Sequence, residues 1–268
     1  MQQILTYTFL VLYTVTILSI VLVIITDNRN PLKTLPWIIV LVFAPVVGLL
    51  FYFFFGQNLS KRRIISRRTR RRITLQLEEA RDAGHPGIPE EYRPLATLLY
   101  STTHSVPLYG SCITPYTDGT SKMEALLAEI ARAKHHIHIQ YYIFCDDETG
   151  CRLRDALVEK VRQGVEVRIL YDDVGCSGVK KSFFEGMRRE GIEVFSFLHV
   201  KFPLFTSKVN YRNHRKIAVI DGRVGFIGGM NIADRYVRGT EWGSWRDTHF
   251  RVEGSGAAGL QVSFLSDW

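Results

Sequence analysis

The sequence predicts an α/β domain carried behind a pair of transmembrane helices. Three observations predict it. Two long charge-free apolar runs lie near the N-terminus, a block of basic residues follows them, and the rest alternates strand-like with helix-like segments. The expected division is a transmembrane hairpin over 1–56, a basic juxtamembrane tether over 57–106 and the α/β domain over 107–268.

The runs Ile4–Ile25 and Leu35–Phe55 hold 22 and 21 residues without a charge. Each reaches the ~20 residues that cross a bilayer core as a helix. A cleaved leader fits poorly, since no basic residue precedes the first run and no small-residue cleavage site follows it. Pro45 should kink the second run, and the aromatic stretch 51–55 should lie at an interface.

The connection 26–34 carries Asp27, Arg29 and Lys33, a net +1. From Lys61 to Arg72 there are eight basic residues and no acid, which equals the whole chain's net charge of +8. By the positive-inside rule this block is cytoplasmic, so both termini are expected in the cytoplasm. It should also attract anionic lipid. With the remaining residues balanced to zero, a nucleic-acid face spread over the domain is not indicated.

Four cysteines, Cys112, Cys145, Cys151 and Cys176, form no C-x-x-C pair. They fit a reducing compartment and suggest no disulfide framework. His136 and His138 make an H-x-H pair without partner ligands in sequence, so no metal is expected.

The domain begins with a strand at Cys112–Tyr116, closed by the turn Thr117-Asp118-Gly119. Ser121 and Glu124 read as a capping box. Met123, Leu126, Leu127, Ile130 and Ala131 then recur at helical spacing. His135–Phe144 reads as a strand, and Leu153, Ala156, Leu157 and Val161 mark a helix ended by Gly164. Val165–Tyr171 is a strand, 181–189 a helix ended by Gly191, and Ile192–Phe197 a strand. This order argues for a parallel or mixed sheet with helices on both faces. The segment Leu198–Arg212 breaks the pattern; it either packs on the domain or touches lipid.

His214-Arg215-Lys216 opens the apolar strand Ile217–Ile220. Alternation along a strand puts His214 and Lys216 on one face with Ala218 and Ile220. A cation beside an imidazole on an apolar face is costly unless an anion binds there. Asp221-Gly222 is a hairpin turn and Val224–Ile227 the return strand. Gly228-Gly229-Met230-Asn231 then leads into a helix-like run, where free backbone N–H groups could meet a phosphate.

The string His214-x-Lys216-x4-Asp221-x6-Gly228-Gly229-x-Asn231 resembles the HKD signature of the phospholipase D superfamily. The two apolar runs, Phe55-Gly56-Gln57-Asn58, Tyr141-Tyr142-Ile143-Phe144, Tyr171-Asp172-Asp173-Val174-Gly175 and Trp245-Arg246-Asp247-Thr248-His249-Phe250 occur in the order seen in bacterial cardiolipin synthases. The resemblance covers essentially the whole chain, with its most specific part inside 209–236.

It implies a phospholipase D-like mixed sheet flanked by helices and phosphatidyl transfer between two phosphatidylglycerol molecules, with no cofactor or metal. His214 would be the nucleophile that forms a phosphohistidine. Lys216 and Asn231 would hold phosphoryl oxygens, with Gly229 standing where many members have Ser. Asp221 belongs to the signature and would shape the site. Asp247, or alternatively Glu241, would orient the histidine. The family carries two HKD motifs on one chain, and this sequence has one. A second half is therefore expected, on the same longer chain or from a second copy. His199 and His249 are possible substitutes for the second histidine, though no Lys follows either two positions later. The expected partners are phosphatidylglycerol or another anionic phospholipid and the membrane, not nucleic acid. A tethered phosphodiesterase or nuclease, or a catalytically incomplete lipid-binding module, are the alternatives.

Overall fold

The computed structural model describes residues 1–26, 31–44, 47–48, 51–52, 88–103, 105, 107–199 and 212–268. The basic block 61–72, Pro45, the stretch 53–58 and residues 200–211 of the pattern-breaking segment lie outside these. The chain divides into two compact units, Met1–Arg62 with Lys201–Asn210, and Arg63–Val200 with Tyr211–Trp268.

In the first unit, α1 spans Gln2–Thr26 and packs against α2, Pro31–Phe43. Apolar side chains of α1 point outward, among them Ile4, Leu5, Phe9, Val15 and Leu18. Its hydroxyls turn inward on the helix: Thr6, Thr8, Thr14 and Ser19 donate to carbonyls four residues back at 2.8–3.0 Å. A helix apolar all round with its polar groups satisfied internally suits lipid. Over Gln2–Ser19, α1 is long and apolar enough to cross a membrane, and it is the one such helix among the described residues. Of the second apolar run, Leu35–Phe43 lies in α2, which holds Pro36 inside it, and residues 45–46, 49–50 and 53–55 lie outside the described ones.

The described residues of the second unit begin near a 3-10 turn, Glu90–Tyr92, followed by α3, Arg93–Thr103. Among the described residues seven strands follow: β1 Cys112–Tyr116, β2 His136–Tyr141, β3 Glu166–Asp172, β4 Glu193–Phe197, β5 Ile217–Ile220, β6 Val224–Gly228 and β7 His249–Glu253. The helices between and after them are α4 Gly119–Arg132, α5 Glu148–Arg162, α6 Lys181–Arg189, α7 Asp234–Arg238 and α8 Gly256–Asp267. The sheet is mixed, in the order β1-β7-β6-β5-β2-β3-β4. Strands β2, β3 and β4 are parallel, and the other neighbours antiparallel.

One face carries the main core. Leu126 and Ile130 of α4, Leu153 and Leu157 of α5, and Phe184 and Met187 of α6 pack with Ile137, Ile139, Ile169, Ala218 and Phe226 of the sheet. The other face is covered by α8, which lies over β6, β5, β2 and β7 and buries Ala257 and Phe264. Helices on both faces of a mixed sheet are what the strand–helix alternation predicts.

The helix start at α4 differs from the expected capping box. Its N-cap is Asp118, whose carboxylate accepts the Ser121 N–H at 2.8 Å. Ser121 is already helical, so it cannot cap; the aspartate of the preceding turn reaches the free N–H first.

Candidate active site

The segment 213–216 leads into β5, and its side chains go alternately to the two sides. Asn213 Nδ2 donates to Asp267 at 2.7 Å, and Arg215 forms an ion pair with the same carboxylate. Gln140 Nε2 also donates to it at 2.6 Å. Asp267, on the last turn of α8, thus pins the odd-numbered side chains on the α8 face. The even-numbered ones go the other way. The His214 imidazole stacks on the Tyr142 ring, with centroids 3.7 Å apart and planes 23° off parallel. Lys216 Nζ lies 5.4 Å from that ring's centroid and donates to the His214 carbonyl at 2.6 Å. The i, i+2 spacing predicts this pairing; Tyr142 as the surface it rests on was not foreseen.

His214 is exposed while Lys216 is buried, 8% accessible. Desolvation and the Lys216 charge hold the His214 imidazole below its usual range, and Asp172 opposes them. A neutral imidazole follows at neutral pH. Burial also lowers the Lys216 amine, against the pull of Asp247.

Asp172 is the second residue without a role assigned from sequence. At the end of β3, 1% exposed, it accepts N–H groups from Val174, Gly175 and Asn213 at 3.0–3.1 Å, and pairs with Arg212 at 3.5 Å. It therefore anchors the residue just before His214. Nothing in its local spacing signals this, because Asn213 is 41 positions away.

The two candidate orienting acids are placed differently from expectation. Asp247 bears on Lys216, and its Oδ1 would lie 2.0 Å from a Cβ at Gly229. The carboxylate whose charge bears on His214 is that of Asp172. Glu241 lies exposed in the turn closed by Thr240 and Gly243. Gly229 is thus tied to Asp247: without a side chain it leaves room for that carboxylate.

Three further expectations change in detail. The Gly229 N–H donates to the Thr248 carbonyl at 2.9 Å, so it is not free for a phosphate. The run after Asn231 forms only the five residues of α7. Asn231 is 5% exposed, accepting from Ile143 N–H at 3.0 Å and donating to Tyr236 Oη at 2.7 Å. Its amide ties the turn after β6 to the chain leaving β2. Asp221, grouped by sequence with His214, sits at the opposite end of β5. There its carboxylate accepts the N–H groups of Lys134, His135 and His136 at 2.8–3.0 Å. Asp221 and Gly222 have φ of 52° and 65°, as a tight hairpin turn with both central residues left-handed requires.

Of the two substitute histidines, His199 lies 3.2 Å from Asp173 and is half exposed, whereas His249 is fully buried on β7. His136 and His138 both bond Gln261 of α8.

Fold and signature together define a phospholipase D-like domain. Residues 126–244 match the profile described as cardiolipin synthase, PLD-like domain, and residues 11–57 the phospholipase D-nuclease N-terminal profile. The chain is 39% identical to a cardiolipin synthase of Geobacillus kaustophilus, across 97% of this chain and 53% of that protein. It is 36% identical to the major cardiolipin synthase ClsA of Bacillus subtilis, across 94% of this chain and 54% of that one. A solved phospholipase D family member, Nuc from Salmonella typhimurium, superposes with a TM-score of 0.44 at 17% identity, covering 59% of this chain and 93% of that one. Over nearly its whole length the chain is similar to bacterial cardiolipin synthases. It spans about half the length of the curated relatives it matches.

Proposed function

We propose that the chain supplies one half of a cardiolipin synthase active site. The observation that carries this reading is the exposed His214 ring stacked on Tyr142 beside a buried Lys216. In the proposed cycle, His214 attacks the phosphorus of one phosphatidylglycerol, and a P–N bond forms. The P–O bond to the glycerol headgroup breaks, and the leaving oxygen takes a proton from a histidine of the second half. That histidine then deprotonates the hydroxyl of a second phosphatidylglycerol. The new oxygen attacks phosphorus, the P–N bond breaks, and cardiolipin leaves.

Lys216 neutralises charge on the phosphoryl oxygens as it builds. Asp247 supports the Lys216 charge, and Asp172 holds the entry to His214 through Asn213. Asn231 shapes the turn beside the phosphate and has one amide hydrogen left to offer it. Asp221 sets the hairpin at the far end of β5 and acts on the site only through the strand.

Two spans, within 1–56, and a basic tether over 57–106 would hold the 107–268 domain on the cytoplasmic side, next to its lipid substrate. The charge asymmetry across the hairpin supports this orientation. The second HKD half would come from the same longer chain or from a second copy.

The test is phosphatidylglycerol conversion by the chain in detergent, with its mass in solution measured alongside. Little or no cardiolipin from a monomer, and activity restored by a second half, is the expected result. Robust cardiolipin formation by a proven monomer refutes the half-site reading. Extraction of lipid from cells expressing the complete protein, with and without His214→Ala, separates a synthase from a hydrolytic phosphodiesterase.

A further inference from the structure

A row of side chains crosses the sheet at the end that carries His214. Register aligns Tyr116, His249 and Gly228 on β1, β7 and β6. Ile217 pairs with Ile227 and Gln140, so one step earlier Lys216 stands level with Gly228 and Tyr141. Above the row is Lys122, from the first turn of α4, with Nζ 4.8 Å from the centroid of the Tyr141 ring.

These groups are sealed and poorly satisfied. Lys122 and His249 are wholly buried and Tyr141 is 1% exposed. Among the described residues, neither ring nitrogen of His249, nor Tyr141 Oη, has a hydrogen-bond partner. Among the described residues, the one hydrogen-bond contact of the Lys122 amine is the Met123 thioether, at 3.6 Å. Leaving a buried polar group unsatisfied is costly, and leaving a buried charge unsatisfied costs more. Apolar side chains of similar size would pack here without that cost, so the cluster asks for a role beyond packing.

The charges around Lys122 are one-sided. Both Lys122 and Lys216 bear on His249 and, with burial, hold its imidazole down to about 2. Burial lowers the Lys122 amine to about 7 and raises the Tyr141 hydroxyl. The acids nearby are engaged elsewhere. On α4, Asp118 is held by Ser121, and Glu129 by Arg132 and Arg251. At the α5–α7 junction, Asp147 accepts from Gly150 and Asp234 N–H groups, and Asp234 from Thr149. Asp247 bears on Lys216. At neutral pH, His249 and Tyr141 are neutral, and no acid among the described residues forms an ion pair with the Lys122 amine.

We propose that Lys122 is a positioning residue of the phosphodiester site, an internal amine that takes up a proton when an anionic phosphodiester docks at Lys216. The anion supplies the counter-charge the cluster lacks, and the resulting ammonium adds a second positive charge behind Lys216 only while substrate is present. The proton comes from solvent, and no bond other than N–H forms. This inference rests on the reading of His214 and Lys216 as the phosphodiester site.

The test uses the full chain in detergent and glycerophosphoglycerol, a soluble phosphodiester that does not itself titrate near neutrality. Calorimetry near pH 8 in buffers of different ionisation heat reads protons taken up per probe bound. Wild type should take up a substantial fraction of a proton near pH 8 and bind about sixfold more weakly at pH 8.5 than at pH 6.5, as a rise of one pKa unit from about 7 requires. Lys122→Met should show no uptake from this source and a flat affinity over that range. The lysine Cε chemical shift of Lys122 in wild type reads the same event without a substitution, so a folding defect in the variant does not decide the matter. Lys216-dependent probe binding with uptake unchanged in Lys122→Met, or with a Lys122 shift that ignores the probe, overturns this inference alone. No Lys216-dependent binding overturns the site reading and this inference with it.

Discussion

Tyr142 and His214 lie face to face, ring centroids 3.7 Å apart, and the Lys216 amine sits over the same tyrosine ring. One aromatic face thus fixes the orientation of an exposed imidazole and the position of a buried cation. Stacked aromatic pairs contribute about 0.5–1.5 kcal/mol beyond burial. Tyr142→Leu is therefore expected to lower turnover by roughly 3–10-fold in the complete protein, and Tyr142→Phe to stay near wild type. Equal loss in both variants would mean the hydroxyl, not the ring face, matters.

Lys216 should set the acid limb of the rate profile through His214. The folded His214 imidazole lies below its usual range because of desolvation and the Lys216 charge. Attack needs the neutral ring, so activity falls as pH drops through that lowered value. Lys216→Met removes the charge and should move the acid limb to higher pH, while reducing the rate by about 10²–10³, the loss of one transition-state donor. A histidine titration by NMR that stays put in Lys216→Met contradicts the coupling.

Asp221 is expected to matter for stability more than for chemistry. Burial pushes its carboxyl up, but the three backbone N–H groups it accepts outweigh that and hold its pKa below the usual carboxylate value. A folded value under the unfolded one gives stability that is present above about pH 4 and lost as pH falls through the folded value. Asp221→Ala loses three bonds and puts alanine, without a polar side chain to support it, at a left-handed φ of 52°, for a cost of about 2–4 kcal/mol. Asp221→Asn keeps an acceptor and tolerates the left-handed backbone, so it should fall between. Denaturant unfolding reads the order; a larger effect on turnover of the folded fraction than on stability would place Asp221 in the chemistry.

Gly229 and Asp247 should behave as a pair. A Cβ at Gly229 would lie 2.0–2.5 Å from the Asp247 carboxylate atoms, which belong to a side chain that can swing away. Gly229→Ala should therefore cost little stability yet withdraw the charge that supports Lys216. Gly229→Ala and Asp247→Ala should each lower activity, and the double variant should be no worse than either, a non-additive cycle. Additive losses would separate the two positions.

Much of this was legible in local spacing. The two apolar runs, the strand–helix alternation and the Asp221-Gly222 turn depend on periodicity and backbone preference, which neighbours in sequence determine. So does the sidedness of His214 and Lys216, because strand geometry fixes the direction of alternate side chains whatever they meet. The tertiary structure decided what each side meets. Asp172 reaches Asn213 from β3, Asp267 reaches Asn213 and Arg215 from α8, and Asp247 settles beside Gly229 and Lys216. It also set Lys122, Tyr141 and His249 together from three elements that no motif links. Such contacts come from sheet order and register, which close loops of tens of residues. The strength of a charge or hydrogen bond depends on the distance and burial that this closure creates, and spacing along the chain does not encode either.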